Sequence, residues 1–567
     1  MGGGLLQVHS REGRAAEKRL AAQKNYGVNR EITGSYEEAL AAQCANGTFV
    51  GRLQEKVTVW RGIPYARSPI GPLRWRAPQA PAESAGVYEA FYNGKTPLQT
   101  ELESEQASFY PQGEDCLYLN VWADRGTPGP KTVMVFFHGG SYGWGGTADP
   151  LYDGFHLVHA HPDVVLVTVG YRTGLLGFVD LSTVLGGEDY ADAPNLGLLD
   201  QIQALRWVRQ NISAFGGDPE AVTIFGESAG GGSVSLLPVI PAAKGLFRRV
   251  IAQSGSVALT YSKAECADFT RRLLAASGAK TMDDLLRLSE EELAQVNQQI
   301  NEYNNFPQRD GKLIPLDPYE PYERGETRDV DFLIGTNANE MNYWVGEVGG
   351  IVPYRFGIPV KFENDLRLFR KEDRARAERF LKGLRGHRIW RISEFYNELM
   401  FRLPAIRQAE GHSANGGRVY MYYWTQPSAI PFRGACHAVE LAYVFGNLDQ
   451  TIYTGPGIDK RLSELTMAAW VQFAKTGDPS TETLHWKPYS VKAHRPTMVL
   501  SSTPYVQRDV LEKQRMLLEP LLGYWVNASY ADLSYDVPFV RKAVGIGLAA
   551  VAGVIGGTLA VRSLLKE

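Results

Sequence analysis

The sequence predicts an α/β fold, an open and mostly parallel sheet flanked by helices, and three observations carry that prediction. Short apolar, β-branched runs bounded by glycine recur along the chain. Helical periods fill the intervals between them. One serine, Ser228, stands between such a run and a small-residue stretch that can continue as a helix.

Residues 132–137 are β-rich and end at His138-Gly139-Gly140. Residues 164–169, 221–225, 249–253, 332–335, 419–424 and 497–501 are runs of the same kind. They lack the alternation of a half-exposed strand, which suits a sheet buried on both faces. Leu198, Leu199, Ile202, Leu205, Val208 and Ile212 mark one face of a helix ending near Asn211-Ile212. Strand–helix alternation over this length reads as one open sheet. Residues 370–388 read as a charged, solvated helical face.

Composition narrows the classes. A hydrophobic share of 44% and a charged share of 21% are ordinary for a globular chain. The net charge of −3 gives no reason to expect nucleic acid as a partner. Cys44, Cys116, Cys266 and Cys436 lie far apart without metal-ligand spacing, so no metal is expected and all four read as reduced. Asn-x-Ser/Thr triplets begin at Asn46, Asn211 and Asn527 and read as chance, because residues 1–25 hold five basic side chains and no apolar core for a signal peptide. Residues 1–40 read as a charged extension, 41–530 as the globular domain and 531–542 as a linker.

Residues 543–561 form a stretch of 19 without charge, flanked by Arg541 and Lys542 before and Arg562 and Lys566 after. As a helix they would span about 28 Å, against roughly 30 Å for the hydrocarbon core of a bilayer. The apolar stripe of a surface helix is missing. A membrane-spanning tail helix with the preceding domain on the cytoplasmic side is therefore expected. Gly553 and Gly557, with Ala549 one turn earlier, would let two tails pack closely as a homodimer.

A serine on a tight strand-to-helix turn projects its hydroxyl, and crowding there requires small residues two positions before and two after. In Gly226-Glu227-Ser228-Ala229-Gly230 both are glycine. The pattern alone would be weak in a chain with 59 glycines; its context makes it a nucleophile elbow. A serine hydroxyl needs a base, a group to orient that base, and donors for charge that develops on a substrate oxygen. The N–H groups of Gly139 and Gly140, after a strand-like run, with that of Ala229 would form a three-point oxyanion hole. Residue types alone rank His437 only modestly above His412, and Glu340 is one carboxylate among 62.

Three further motifs carry a resemblance. Gly62-Ile63-Pro64-Tyr65-Ala66 with Gly71-Pro72-Leu73-Arg74, then Glu114-Asp115-Cys116-Leu117-Tyr118-Leu119-Asn120, then Phe215-Gly216-Gly217-Asp218-Pro219 ahead of the elbow resemble the type B carboxylesterases. That family includes cholinesterases and bacterial p-nitrobenzyl-type esterases, and the similarity spans about residues 45–525. It implies the α/β-hydrolase fold and a serine carboxylesterase acting on small-molecule esters without a cofactor. It implies His437, in Ala435-Cys436-His437-Ala438-Val439-Glu440, as the base and Glu340, closing Gly335-Thr336-Asn337-Ala338-Asn339-Glu340, as the acid. It also implies supporting roles for Glu227, Ser254 and Glu440, and ion pairs of Arg74 with Glu114 and of Arg172 with Asp218.

The departures are as informative. Among cholinesterases the cysteine of the second motif closes a disulfide loop, but no cysteine lies between Cys44 and Cys116, so Cys116 is expected to be a free thiol. Residues 77–115 hold no tryptophan to face a quaternary ammonium, which argues against choline esters. Tyr142, Trp144, Phe306, Tyr343 and Trp344 are candidates for pocket walls. A non-catalytic scaffold of the same fold, or a membrane-associated lipid hydrolase, are the competing readings.

Overall fold

The computed structural model describes residues 25–101, 106–300, 306–345 and 352–526. Its strands, in chain order, are β1 (Ala41–Cys44), β2 (Gly47–Val50), β3 (Arg52–Gln54), β4 (Val57–Pro64), β5 (Val87–Glu89), β6 (Tyr118–Asp124) and β7 (Lys131–Phe137). There follow β8 (Val164–Val169), β9 (Gly217–Glu227), β10 (Arg249–Gln253), β11 (Asp331–Asn337), β12 (Val419–Trp424), β13 (Pro496–Leu500) and β14 (Tyr505–Arg508). Strands β1, β2 and β5 make a small sheet; the other eleven form one large sheet in the order β14-β13-β12-β11-β10-β9-β7-β8-β6-β4-β3. Every pairing among β7 to β13 is parallel. Antiparallel pairings add β6, β4 and β3 at one edge and β14 at the other. This is the α/β-hydrolase architecture.

Alternate residues of one strand point to opposite faces of a sheet, and here both faces are covered. Val133, Val135 and Phe137 of β7 share a core with Leu198, Ile202, Leu205 and Val208 of the helix Leu196–Asn211. Met134 and Phe136, between them in sequence, share another with Leu462, Trp470 and Phe473 of the helix Lys460–Thr476. Polar alternation is thus impossible, and the strands read as unbroken apolar runs. Each such buried side chain contributes about 1.5–3 kcal/mol.

The helix Leu196–Asn211 has the predicted face, yet it also buries Asp200, Gln201, Gln203 and Asn211. Asp200 corrects one expectation. Arg172 pairs with Asp200, not with Asp218: Nε donates to Oδ2 at 2.8 Å, Nη2 to Oδ1 at 2.7 Å, and the Arg172 backbone N–H to Oδ2 at 3.0 Å. Asp218 instead caps the start of β9 by accepting from Glu220 N at 2.9 Å. A guanidinium 1% exposed needs a carboxylate in the same interior, and Asp200, 0% exposed, is the one there. The Arg74–Glu114 pair forms as expected, with two bonds of 2.6 Å.

Other expectations are refined. The stretch 370–388 divides between the helices Lys371–Gly383 and Arg388–Tyr396, and the first buries Ala377, Phe380 and Leu381. All four cysteines are buried free thiols. The Asn46 and Asn211 amides are occupied inside the protein, donating to Pro64 O and Trp207 O, both at 2.9 Å. Residues 1–24 and the linker and tail at 531–561 lie outside the described residues. Among the described residues no helix is long and apolar enough to cross a membrane.

Breaking the Arg172–Asp200 pair by Asp200→Leu should cost about 3–5 kcal/mol, because it strands a buried guanidinium. Arg172→Met/Asp200→Leu together should cost less than the two single changes summed. Urea unfolding checks both, and a single-variant loss below about 1 kcal/mol would show the pair to be dispensable.

Candidate active site

Parallel register brings several strand ends to one place. Phe137 of β7 lies opposite Gly226 of β9, Glu227 of β9 opposite Gln253 of β10, and Gln253 opposite Gly335 of β11. The residues that follow these positions are Gly139 and Gly140, Ser228, Ser254, and the turn reaching Glu340. His437 arrives from the loop after β12. Open α/β sheets bind ligands beyond these carboxyl ends.

Ser228 has φ 59° and ψ −121°, a conformation few L-residues adopt. Two hydrogen bonds hold it: Ser228 N donates to Gln253 O at 2.9 Å, and Gly232 N donates to Ser228 O at 2.8 Å. A Cβ on Gly226 would sit 2.5 Å from the Gly230 carbonyl carbon, and one on Gly230 would strike the Phe137 carbonyl oxygen. The elbow therefore demands both glycines. Ser228 is half-buried between buried Glu227 and Ala229.

The loop after β7 lies against this turn, for a Cβ on Gly139 would approach Ser228 Cβ to 3.0 Å. Gly140 has φ 99°, and its carbonyl accepts from both Gly143 N and Trp144 N at 2.9 Å. Ala229 opens the helix Ala229–Leu236, so no carbonyl of that helix lies a turn earlier for its N–H.

His437 Nδ1 donates to Glu340 Oε2 at 2.6 Å, and its Nε2 is 3.2 Å from Glu227 Oε1. Nε2 thus lies at the strand end that carries Ser228, and it makes no hydrogen bond. Burial alone would lower the His437 pKa, but the charges of Glu227, Glu340 and Glu440 and the Glu340 hydrogen bond prevail and raise it to about 9. Aromatic rings surround the imidazole: Trp344 at 5.0 Å, Phe401 at 5.2 Å and Tyr343 at 6.3 Å between centroids.

The expected supporting residues gather behind it. Ser254 Oγ donates to Glu340 Oε1 at 2.7 Å. Glu440 accepts from Gln253 Nε2 at 3.0 Å and Asn337 Nδ2 at 2.6 Å, and burial raises its pKa. Asn337 and Gln253 were not anticipated. Asn337 N also donates to Glu340 Oε1 at 2.6 Å, and an amide three residues before the acid was the one available signal. His412 is elsewhere, its Nδ1 3.0 Å from Thr327 Oγ1 and its pKa lowered to about 4 by burial. Of the candidate wall residues, Tyr142 and Phe306 meet edge to face in the core, 5.5 Å between centroids, whereas Tyr343 and Trp344 flank His437. Among the described residues no group of three or more His, Cys, Asp or Glu is placed to hold a metal ion.

The family model described as the carboxylesterase family matches residues 38–517. The chain is 36% identical to the para-nitrobenzyl esterase of Bacillus subtilis over 506 residues, 84% of this chain and 98% of that protein. It is 32% identical to human neuroligin-2 over 515 residues, 76% of this chain and 60% of that protein. A solved carboxylesterase structure from Geobacillus stearothermophilus superposes with a TM-score of 0.76 at 33% identity, covering 84% of this chain and 99% of that one.

The upward pull of the carboxylates on His437 can be measured. Glu227→Gln removes the charge that contributes most and should lower the imidazole's NMR titration midpoint by roughly a unit or more. An unchanged midpoint would mean that Glu227 exerts no field on the ring.

Proposed function

The chain belongs to the carboxylesterase family and is a carboxylic ester hydrolase, and from that premise we propose how its residues divide the work. Ser228 is the nucleophile, His437 the general base and Glu340 the group that orients the base. The N–H groups of Gly139, Gly140 and Ala229 receive the oxyanion. Support comes chiefly from one observation, the 2.6 Å bond from His437 Nδ1 to Glu340 Oε2. A carboxylate accepts, so Nδ1 carries the hydrogen. The reactive form is the neutral ring, in which Nε2 holds the lone pair, and the carboxylates that raise its pKa to about 9 make that ring a stronger base.

Ser228 Oγ attacks the ester carbonyl carbon as Nε2 takes its proton, and the carbonyl electrons move onto the oxygen facing the three N–H groups. Collapse of that intermediate expels the alcohol, which leaves with the proton from Nε2. Water then attacks the acyl-enzyme carbonyl carbon and gives its proton to His437, and collapse of the second intermediate releases the acid as His437 returns that proton to Ser228 Oγ. The imidazolium formed on the way lies beside Glu227 and Glu340, which stabilise it. Glu227, Ser254 and Glu440 act through these groups.

The rings of Trp344, Phe401 and Tyr343 near His437 suit uncharged ester groups. Membrane anchoring through residues 543–561 is part of the proposal on sequence grounds. A chain ending at Val540 should then stay in solution with lipid vesicles that the full chain joins, and equal partition of both would remove the anchor.

Hydrolysis of p-nitrophenyl butyrate tests the chemistry. Ser228→Ala should lose on the order of 10³-fold or more in kcat, with no preference for choline esters in the parent. An inactive parent would favour the scaffold reading.

A further inference from the structure

The loop after β7 presents two peptide groups to the proposed oxyanion hole, His138–Gly139 and Gly139–Gly140, and a side chain holds the carbonyl end of each. Tyr171 Oη donates to the His138 carbonyl at 2.7 Å. His138 Nδ1 lies 2.8 Å from the Gly139 carbonyl, and since a carbonyl only accepts, Nδ1 carries the hydrogen. The two rings are stacked, 4.4 Å between centroids and 18° between planes, and both are buried. Burial lowers the His138 pKa to about 4, which keeps the ring neutral, and raises that of the Tyr171 phenol, which keeps its proton.

Both peptides are trans. In a trans peptide the C=O and N–H point in opposite directions, so a held carbonyl aims the N–H on its far side. Glycine offers no side chain to restrain either unit. We propose that Tyr171 and His138 are positioning residues that aim the Gly139 and Gly140 N–H groups at the substrate oxygen. The inference rests on the ester-hydrolysis reading above, with those amides as donors. Gln99 completes the device by bonding both Gly145 N and Gly145 O at 2.9 Å. Gly145 is the residue that backs the imidazole, leaving no room there for a Cβ beside Nδ1.

The test uses the full chain with Tyr171→Phe, His138→Asn, His138→Leu and Ser228→Ala. Active sites are counted by titration with a serine-directed phosphonate. Each variant is assayed for kcat, KM and affinity for a trifluoromethyl ketone, whose adduct places an oxyanion in the hole. Tyr171→Phe keeps the stacking and loses only the donor. It should lower kcat per active site by about 10-fold or more and weaken the ketone by a similar factor, with KM near the parent value. His138→Leu should lose on the order of 10²-fold, while His138→Asn, which keeps an N–H near Nδ1, should recover most of it. If Tyr171→Phe and His138→Leu keep kcat per active site and ketone affinity within about twofold while Ser228→Ala is inactive, the positioning roles are wrong and the triad stands. If Ser228→Ala matches the parent, the triad reading falls and this inference with it.

Discussion

A buried imidazole faced by three carboxylates is the constraint on which the rest of this site depends. Glu227, Glu340 and Glu440 are each 2% exposed or less, and His437 is 5% exposed. Charges so placed persist only where donors satisfy them. Glu340 takes the Asn337 N–H, the Ser254 hydroxyl and His437. Glu440 takes the side-chain amides of Gln253 and Asn337, and Gln253 is in turn held by Trp470 Nε1 at 3.0 Å. One connected set of hydrogen bonds therefore ties together β10, β11, the helix Lys460–Thr476 and the loop after β12. Leaving a single member unpaired would cost about 1–3 kcal/mol, so the packing of four elements is coupled to the protonation of one ring.

The sheet supplies what that ring must act upon. Ser228 at φ 59° stores strain of order 1–3 kcal/mol, and the hydrogen bonds to Gln253 and Gly232 sustain it. Gln253 thus serves twice: its backbone carbonyl fixes the serine and its side chain fixes Glu440. Nucleophile and acid cluster are held by the same residue of β10, which keeps their separation insensitive to motion of the outer loops.

How much of this is legible in the sequence follows from burial. Strands β8, β10 and β12 coincide with their apolar runs because both faces of the sheet are covered. The edge-side strands β4 and β6 escape notice. β4 shifts register between Trp60 and Ile63, and β6 carries Asn120, which is fully buried and accepts from Gly62 N at 2.9 Å. The elbow is legible because crowding leaves only glycine at its flanks. The partner of Arg172 is not, because Asp200 lies on a helix whose apolar face draws attention away from its buried polar one. Gln253 is invisible for a different reason, since an amide that satisfies a buried carboxylate has no sequence signature of its own, and Asn337 offers only its place three residues before Glu340.

Cys116 is a free thiol, and the segment before it is fastened by hydrogen bonds. Tyr110 Oη donates to Asn25 O at 2.7 Å, Gln112 Nε2 to Ser108 O at 2.7 Å, and Asn297 Nδ2 to Leu98 O at 3.2 Å. Gln99 N donates to Gln112 Oε1 at 2.9 Å, while the Gln99 side chain holds Gly145. A disulfide stabilises mainly by restricting the unfolded chain, whereas these bonds, at about 1 kcal/mol each, act in the folded state and reach specific atoms. The segment is thereby fastened to the residue that backs His138. A crosslink would hold the segment in place without setting that ring, so in this chain the hydrogen-bonded solution joins loop stability to the geometry of the peptide groups beside Ser228.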